Sequence, residues 1–201
     1  MKSPTLPKVL LFDVMSTLIY DPFLVEMPRF FGMSMDELLA AKDPTAWQTF
    51  ELGDISEEQF LKRFFADGRT FDQAGFKACV FEAYRWLDGM QELTLELKDA
   101  GHQLHTLSNY PSWYQQIEAR LELSRNVEWS FVSCEIGVRK PDPRAFSIPL
   151  DELGVDAKDC LFVDDQLLNC EAASREGMHA IHFRDGETLR GELVALGLLA
   201  T

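Results

Sequence analysis

Short apolar runs alternating with helical patterns are the feature that most restricts what this chain can fold into. Residues 9–12, 103–107, 130–133, 160–163 and 180–183 each read as a buried strand: apolar, partly β-branched or aromatic, and bounded by polar or turn residues. Helical spacing fills the intervals between the last four. It runs over 92–100, 114–121, 143–153 and 169–176, with Gly101, Gly154 and Gly177 as C-terminal caps. Strand and helix in alternation predict an α/β fold, a parallel sheet covered by helices on both faces.

One interval differs. Residues 20–87 have little strand character and carry two helix-start signatures, Ser34-Met35-Asp36-Glu37 and Ser56-Glu57-Glu58-Gln59. In each, a capping hydroxyl is followed three residues later by an acid or amide. Apolar residues then recur at helical spacing, as in Phe60, Phe64 and Phe65. This predicts a small helical unit inserted after the first strand. Its aromatic residues Phe30, Phe31, Trp47, Phe50, Phe64 and Phe65 fit either the core of the insertion or the wall of a substrate pocket.

The chain has 201 residues and a formal net charge of -14. That charge repels nucleic acid and anionic membranes, so neither is expected as a partner. No run approaches the length of a membrane span, and the opening residues lack the pattern of a signal peptide. Cys79, Cys134, Cys160 and Cys170 form no C-x-x-C pair and have no histidine at zinc-ligand spacing. Cys134 and Cys160 read as small hydrophobes in strands or at strand ends. Free thiols in a reducing compartment, the cytoplasm, are expected.

The chemistry-bearing residues follow the strands. The first strand runs into Asp13-Val14-Met15-Ser16-Thr17, and an Asp at the carboxyl end of a buried strand lies where open α/β sheets carry their sites. The second ends Leu107-Ser108-Asn109, offering a hydroxyl and backbone N–H groups at the same edge. Lys140 precedes Pro141-Asp142-Pro143 and a helix start, where an ammonium and the helix dipole both favour an anion. The fourth strand ends in Asp164-Asp165. Adjacent carboxylates repel unless a cation is near, and with Asp13 they form a hard oxygen set suited to Mg2+.

This ordered set of Asp13, Ser108, Lys140 and Asp164-Asp165 resembles the four motifs of the haloacid dehalogenase superfamily across nearly the whole chain. The resemblance implies a five-stranded, Rossmann-like parallel core (1–19 and 88–201), with the Asp13 strand in the middle and 20–87 as its helical cap. Leu87-Asp88-Gly89-Met90 resembles the point where the cap returns to the core. It further implies a Mg2+-dependent hydrolase acting on a small phosphorylated molecule. Asp13 would be the nucleophile, forming an aspartyl-phosphate. Asp13, Asp164, Asp165 and the backbone carbonyl of Met15 would serve the metal. Ser108, Asn109, Lys140 and Thr17 would hold the phosphoryl group or its loop, and Asp165 would bind the metal through water or orient Lys140. Asn169 would either support this set or lie on the surface. Histidines 102, 105, 179 and 182 match no family role and read as structural, in strands.

The pattern breaks at one position. Phosphatases of the superfamily have a second Asp two residues after the nucleophile, which transfers protons; here that residue is Met15. Its loss costs ~10²–10⁴-fold in rate unless the leaving group needs no proton or another group substitutes. Asp21 and Ser16 are the candidates, although an Asp before Pro22 is commonly a turn former. Dehalogenases of the superfamily also lack that Asp, but they need no metal and carry no double aspartate in the fourth motif. A weak or purely binding protein is the remaining alternative. The run Leu11-Phe12-Asp13-Val14-Met15-Ser16-Thr17, with Asp21-Pro22-Phe23 and Phe30-Phe31-Gly32-Met33, resembles a branch that includes plant plastid flavin mononucleotide phosphatases. In that branch an Asp stands where this chain has Ser16.

Overall fold

The computed structural model describes residues 7–200. The first six residues of the opening segment, read above for signal-peptide character, lie outside it, as does Thr201. Five strands form one parallel sheet: β1 (Val9–Phe12), β2 (Gln103–Ser108), β3 (Glu128–Val132), β4 (Cys160–Asp164) and β5 (His179–His182), in the order β3-β2-β1-β4-β5. β1 lies in the middle, and every residue of β1 and β4 is buried. Strands covered on both faces lose the polar alternation of a one-sided sheet, hence the unbroken Val-Leu-Leu-Phe and Cys-Leu-Phe-Val runs.

The register sets the site. Phe12 is level with Thr106 of β2 and Val163 of β4. Asp13 and Asp164 therefore leave their strands side by side, with Ser108 at the end of the other neighbour. The Asp13 N–H donates to the Val163 carbonyl at 2.9 Å, extending the ladder by one residue.

Residues 20–87 hold five helices: α1 (Glu26–Phe31), α2 (Met35–Ala41), α3 (Ala46–Glu51), α4 (Glu57–Arg63) and α5 (Gln73–Ala83). Ser34 and Ser56 both form reciprocal capping boxes, with Glu37 and Gln59, as the spacing predicts. The remaining helices are α6 (Met90–Asp99), α7 (Tyr114–Leu121), α8 (Ser133–Ile136), α9 (Arg144–Leu153), α10 (Leu167–Arg175) and α11 (Gly186–Ala195). Differences from the sequence reading are local. β3 starts two residues earlier than predicted and ends one earlier, because Ser133 opens the helical turn α8, which also holds Cys134. β5 is shifted back by one residue, and α11 had no counterpart in the sequence reading. All four cysteines are free thiols. No helix among the described residues is long and apolar enough to cross a membrane.

Most of the insertion's aromatic residues form a core. Phe31 makes ring contacts with Phe30, Phe64, Phe65, Phe71 and Phe76 at 5.0–5.3 Å. A second group joins the insertion to the sheet-bearing part. Phe50 and Phe60 stack at 4.8 Å, and both meet the edge of Trp113, which precedes α7. Edge-to-face contacts of this kind add to the large apolar area that each ring buries. Phe60→Ala, at a position 1% exposed, should lower unfolding stability by ~3–5 kcal/mol, read as a lower urea midpoint at unchanged slope. A loss under about 1 kcal/mol would show that this contact does not hold the insertion down.

Candidate active site

The Lys140 ammonium lies between two carboxylates from adjacent strands. It donates to Asp13 Oδ1 at 2.8 Å and to Asp164 Oδ2 at 2.6 Å, with its side chain 1% exposed. A buried ammonium is tolerable only when paired in this way. Its backbone is fixed as tightly. Lys140 N–H donates to Asn109 Oδ1 at 2.8 Å, and Asn109 Nδ2 donates to the Lys140 carbonyl at 2.9 Å. Both ends of the Asn109 amide are therefore engaged by the lysine's backbone. The phosphate-binding role expected of Asn109 does not suit its side chain, which holds Lys140 in place.

Asp164 is completely buried. Asn169 Nδ2 donates to both of its oxygens at 3.1 Å, and Gln166 N–H donates to Oδ1 at 2.7 Å. Asn169 is thus a buried support of the site, not a surface residue. Thr17, fully buried, accepts the Asp165 N–H on Oγ1 at 3.1 Å, and His182 Nε2 donates to the Asp165 carbonyl at 2.9 Å. Lys140 makes its hydrogen bonds to Asp13 and Asp164. The expected alternative in which Asp165 orients Lys140 is therefore not what the hydrogen bonding shows; the Asp165 carboxylate takes the side-chain amide of Gln166. Three histidines occupy strands as expected, whereas His102 lies just before β2 and bonds the Leu198 carbonyl through Nε2.

Carboxylate oxygens of Asp13, Asp164 and Asp165 lie within 4.8 Å of one another. With all three carboxylates ionised, one ammonium leaves two uncompensated negative charges, the charge of one divalent cation. Burial and the neighbouring Asp164 carboxylate push the Asp13 pKa up, to about 7, against the lowering pull of Lys140. The hard oxygen set fits magnesium. A phosphoryl group fits the same place by a separate observation: Ser108 Oγ is buried with no hydrogen-bond partner. An unpaired buried hydroxyl costs stability, and an anion oxygen would satisfy it.

Beside this cluster is a cavity of about 260 Å³, lined by Met15, Asp21, Phe23, Met27, Lys42, Trp47, Glu51, Asn109 and Tyr110. It opens between the insertion and the sheet edge. Met15, where a phosphatase would have an acid, contributes a thioether wall. Trp47 is the member of the aromatic set that reaches this cavity. Glu51, which no motif marks, is 5% exposed and pairs with Arg139 at 3.1 Å. Burial raises its pKa while Arg139 lowers it. The two lie far apart in the chain, and no local spacing marks either.

A family model for haloacid dehalogenase-like hydrolases matches residues 7–177. The chain belongs to this family. As such it is a hydrolase. It is 44% identical over 190 residues to flavin mononucleotide hydrolase 1 of Arabidopsis thaliana, a protein named as chloroplastic, covering 94% of this chain and 78% of that one. It is 28% identical over 116 residues to (S)-2-haloacid dehalogenase 4A of Burkholderia cepacia, covering 55% of this chain and 49% of that one. Among solved structures, a haloacid dehalogenase family enzyme of Bacteroides thetaiotaomicron, in complex with magnesium and inorganic phosphate, superposes with a TM-score of 0.70 at 20% identity. That match covers 90% of this chain and 96% of the other, and it bears on the fold alone.

Two outcomes follow from the electrostatics. Ser108→Ala removes an unsatisfied buried group, so the ligand-free protein should gain about 1 kcal/mol by urea titration while phosphate binding weakens; a clear loss of stability would mean that the hydroxyl has a structural partner. The folded-state pKa of Asp13, about 7, lies above the ordinary value of 3.8. The folded protein therefore binds this proton more tightly than the unfolded chain. In chelator, Asp13 should add to stability as pH falls from about 7 toward about 4, and Asp13→Asn should lack that added part. Parallel pH profiles of the two proteins would contradict it.

Proposed function

We propose that the protein is a magnesium-dependent phosphatase of small phosphomonoesters, with flavin mononucleotide as the candidate substrate. The observation that carries this reading is the charge balance of the site. A buried cluster of three carboxylates and one ammonium lacks two positive charges, and the unpaired Ser108 hydroxyl lies at the end of the neighbouring strand. A haloacid offers this cluster no comparable use for Asp164 and Asp165 together, so the phosphatase reading is favoured over dehalogenation.

In this reading Asp13 attacks phosphorus in line with the leaving oxygen, and a phosphoaspartate forms and is then hydrolysed. Lys140 holds the Asp13 carboxylate and meets the phosphoryl oxygens, and Ser108 donates to one of them. Asp13, Asp164, Asp165 through water, and the Met15 backbone carbonyl would hold the metal. Bound there, magnesium would offset the charge gathered by the phosphoryl oxygens and the nucleophile. Thr17 and His182 fix the Asp165 backbone, Asn169 fixes the Asp164 carboxylate, and Asn109 fixes Lys140. Such preorganisation matters because a misplacement of about 1 Å can cost ~10²-fold.

Residues 20–87 act as the cap in this proposal. The cavity they close is walled by Phe23, Trp47 and Tyr110, which suits a flat aromatic ring system joined to the phosphate. The named activity of the Arabidopsis relative supports the same choice. The free thiols accord with a reducing compartment such as the cytoplasm.

A panel of phosphomonoesters that includes flavin mononucleotide should release phosphate only with magnesium. Asp13→Asn should lower that release by at least ~10³-fold. Turnover that survives both chelation and Asp13→Asn would overturn the reading.

A further inference from the structure

We propose that Asp21 is the proton-transfer residue of this site, donating to the leaving oxygen and later accepting a proton from the attacking water. The proposal rests on the phosphatase reading and answers the question that Met15 raises. A primary alkoxide is a poor leaving group, and a thioether neither gives nor takes a proton at this step.

The chain geometry brings Asp21 back to the nucleophile. After Asp13 the backbone folds over itself. Leu18 and Ile19 N–H groups both donate to the Val14 carbonyl, at 2.9 and 2.8 Å, and Ser16 N–H donates to the Ile19 carbonyl at 2.7 Å. Ser16 takes a left-handed conformation, φ 58°, to close this turn. Met15 and Ile19 are bridge partners, so Asp21 leaves the turn only two residues beyond the contact with Met15. Its position is held on the other side as well. Tyr20 N–H donates to the Arg85 carbonyl and Leu87 N–H to the Leu18 carbonyl, both at 2.9 Å. Asp21 then lines the same cavity as Met15 and Asn109, the residue that holds Lys140.

The other acid in that cavity is committed elsewhere. Glu51 is bound by Arg139 and by the Trp47 indole N–H. Lys42 lies over the Phe23 ring at 4.9 Å. Asp21 accepts the Phe23 N–H on Oδ1 at 2.9 Å, the turn-forming role that its place before Pro22 predicts. Among the described residues no lysine or arginine pairs with it. Burial raises its pKa, against the lowering effect of the Phe23 N–H bond and with smaller raising contributions from Asp165 and Glu26, so the proton is held more firmly than on an exposed aspartate.

The steps balance. Asp13 Oδ bonds to phosphorus, the P–O(alkyl) bond breaks, and the leaving oxygen takes its electron pair and the Asp21 proton, giving an alcohol. Asp21, now a carboxylate, takes a proton from water as that water's oxygen bonds to phosphorus. The bond to Asp13 then breaks, returning free Asp13, inorganic phosphate and protonated Asp21.

Asp21→Asn keeps an acceptor for the Phe23 N–H and cannot transfer the proton. It is to be compared with wild type in magnesium, on flavin mononucleotide and on p-nitrophenyl phosphate, whose leaving group needs no proton. The kcat/KM for flavin mononucleotide should fall ~10²–10⁴-fold and that for p-nitrophenyl phosphate less than ~10-fold. Stopped flow on the latter should show a nitrophenolate burst near one per enzyme, because water attack on the phosphoaspartate is slowed. An unchanged melting temperature would establish that the variant folds. Equal falls for both esters, or none for either while wild type turns over, would overturn the role of Asp21 alone. A wild type inactive on both would remove the phosphatase reading and this assignment with it.

Discussion

The interaction on which the rest depends is the Lys140 ammonium held between Asp13 and Asp164. Three segments, distant in sequence, meet at one buried cation, and none of the three charges would be tolerable there alone. Removing a carboxylate or ammonium from water costs several kcal/mol, recovered only by close pairing and further hydrogen bonds. Those bonds are present: Asn109 on the Lys140 backbone, Asn169 and the Gln166 N–H on Asp164. Yet the cluster still lacks two positive charges once Asp165 is included, and Ser108 Oγ still has no partner. A fold selected for stability alone would have no reason to keep either. Uncompensated charge and an unpaired hydroxyl meeting at the ends of three neighbouring strands are what a ligand-binding site looks like before its ligand arrives.

The insertion is tied down over this centre by polar contacts set in an aromatic packing. Tyr84 and Tyr110 hydroxyls meet at 2.8 Å, Trp113 Nε1 donates to Glu57 at 2.6 Å, and Ser133 Oγ donates to the Glu51 carbonyl at 2.5 Å. The backbones come close enough at Gly53 that a Cβ there would lie 2.6 Å from the Cys134 carbonyl oxygen, and Gly53 itself has φ 76°. Glycine is required at that point for both reasons. The Glu51–Arg139 pair joins the insertion to the segment that carries Lys140, so closure of the cavity and placement of the ammonium share one structural connection.

Sequence patterning revealed what is local. β1 and β4 are unbroken apolar runs because both faces are covered, and their boundaries were readable to within a residue. The two serine capping boxes were readable because their hydrogen bonds close within one turn. Asp13, Lys140 and Asp164-Asp165 stood out because charged groups directly after apolar strands need an explanation. Partnerships across long loops were not legible. Glu51 and Arg139 look like ordinary surface charges in sequence, and nothing local tells that the Asn109 amide grips the backbone of Lys140. Asn169 stood between surface and site because helical spacing alone does not say which face meets β4. Ser133 reads as the last residue of β3 because an apolar run that ends a strand looks the same when the chain turns into a helix.

In the proposed function, one divalent cation completes this buried cluster. Isothermal titration of magnesium into the wild-type protein and into Asp164→Asn, with inorganic phosphate present, tests it most directly. One ion per chain is expected in the wild type, with an affinity reduced by at least ~10-fold in the variant. Binding that is absent from the wild type, or equally strong in both proteins, would contradict it.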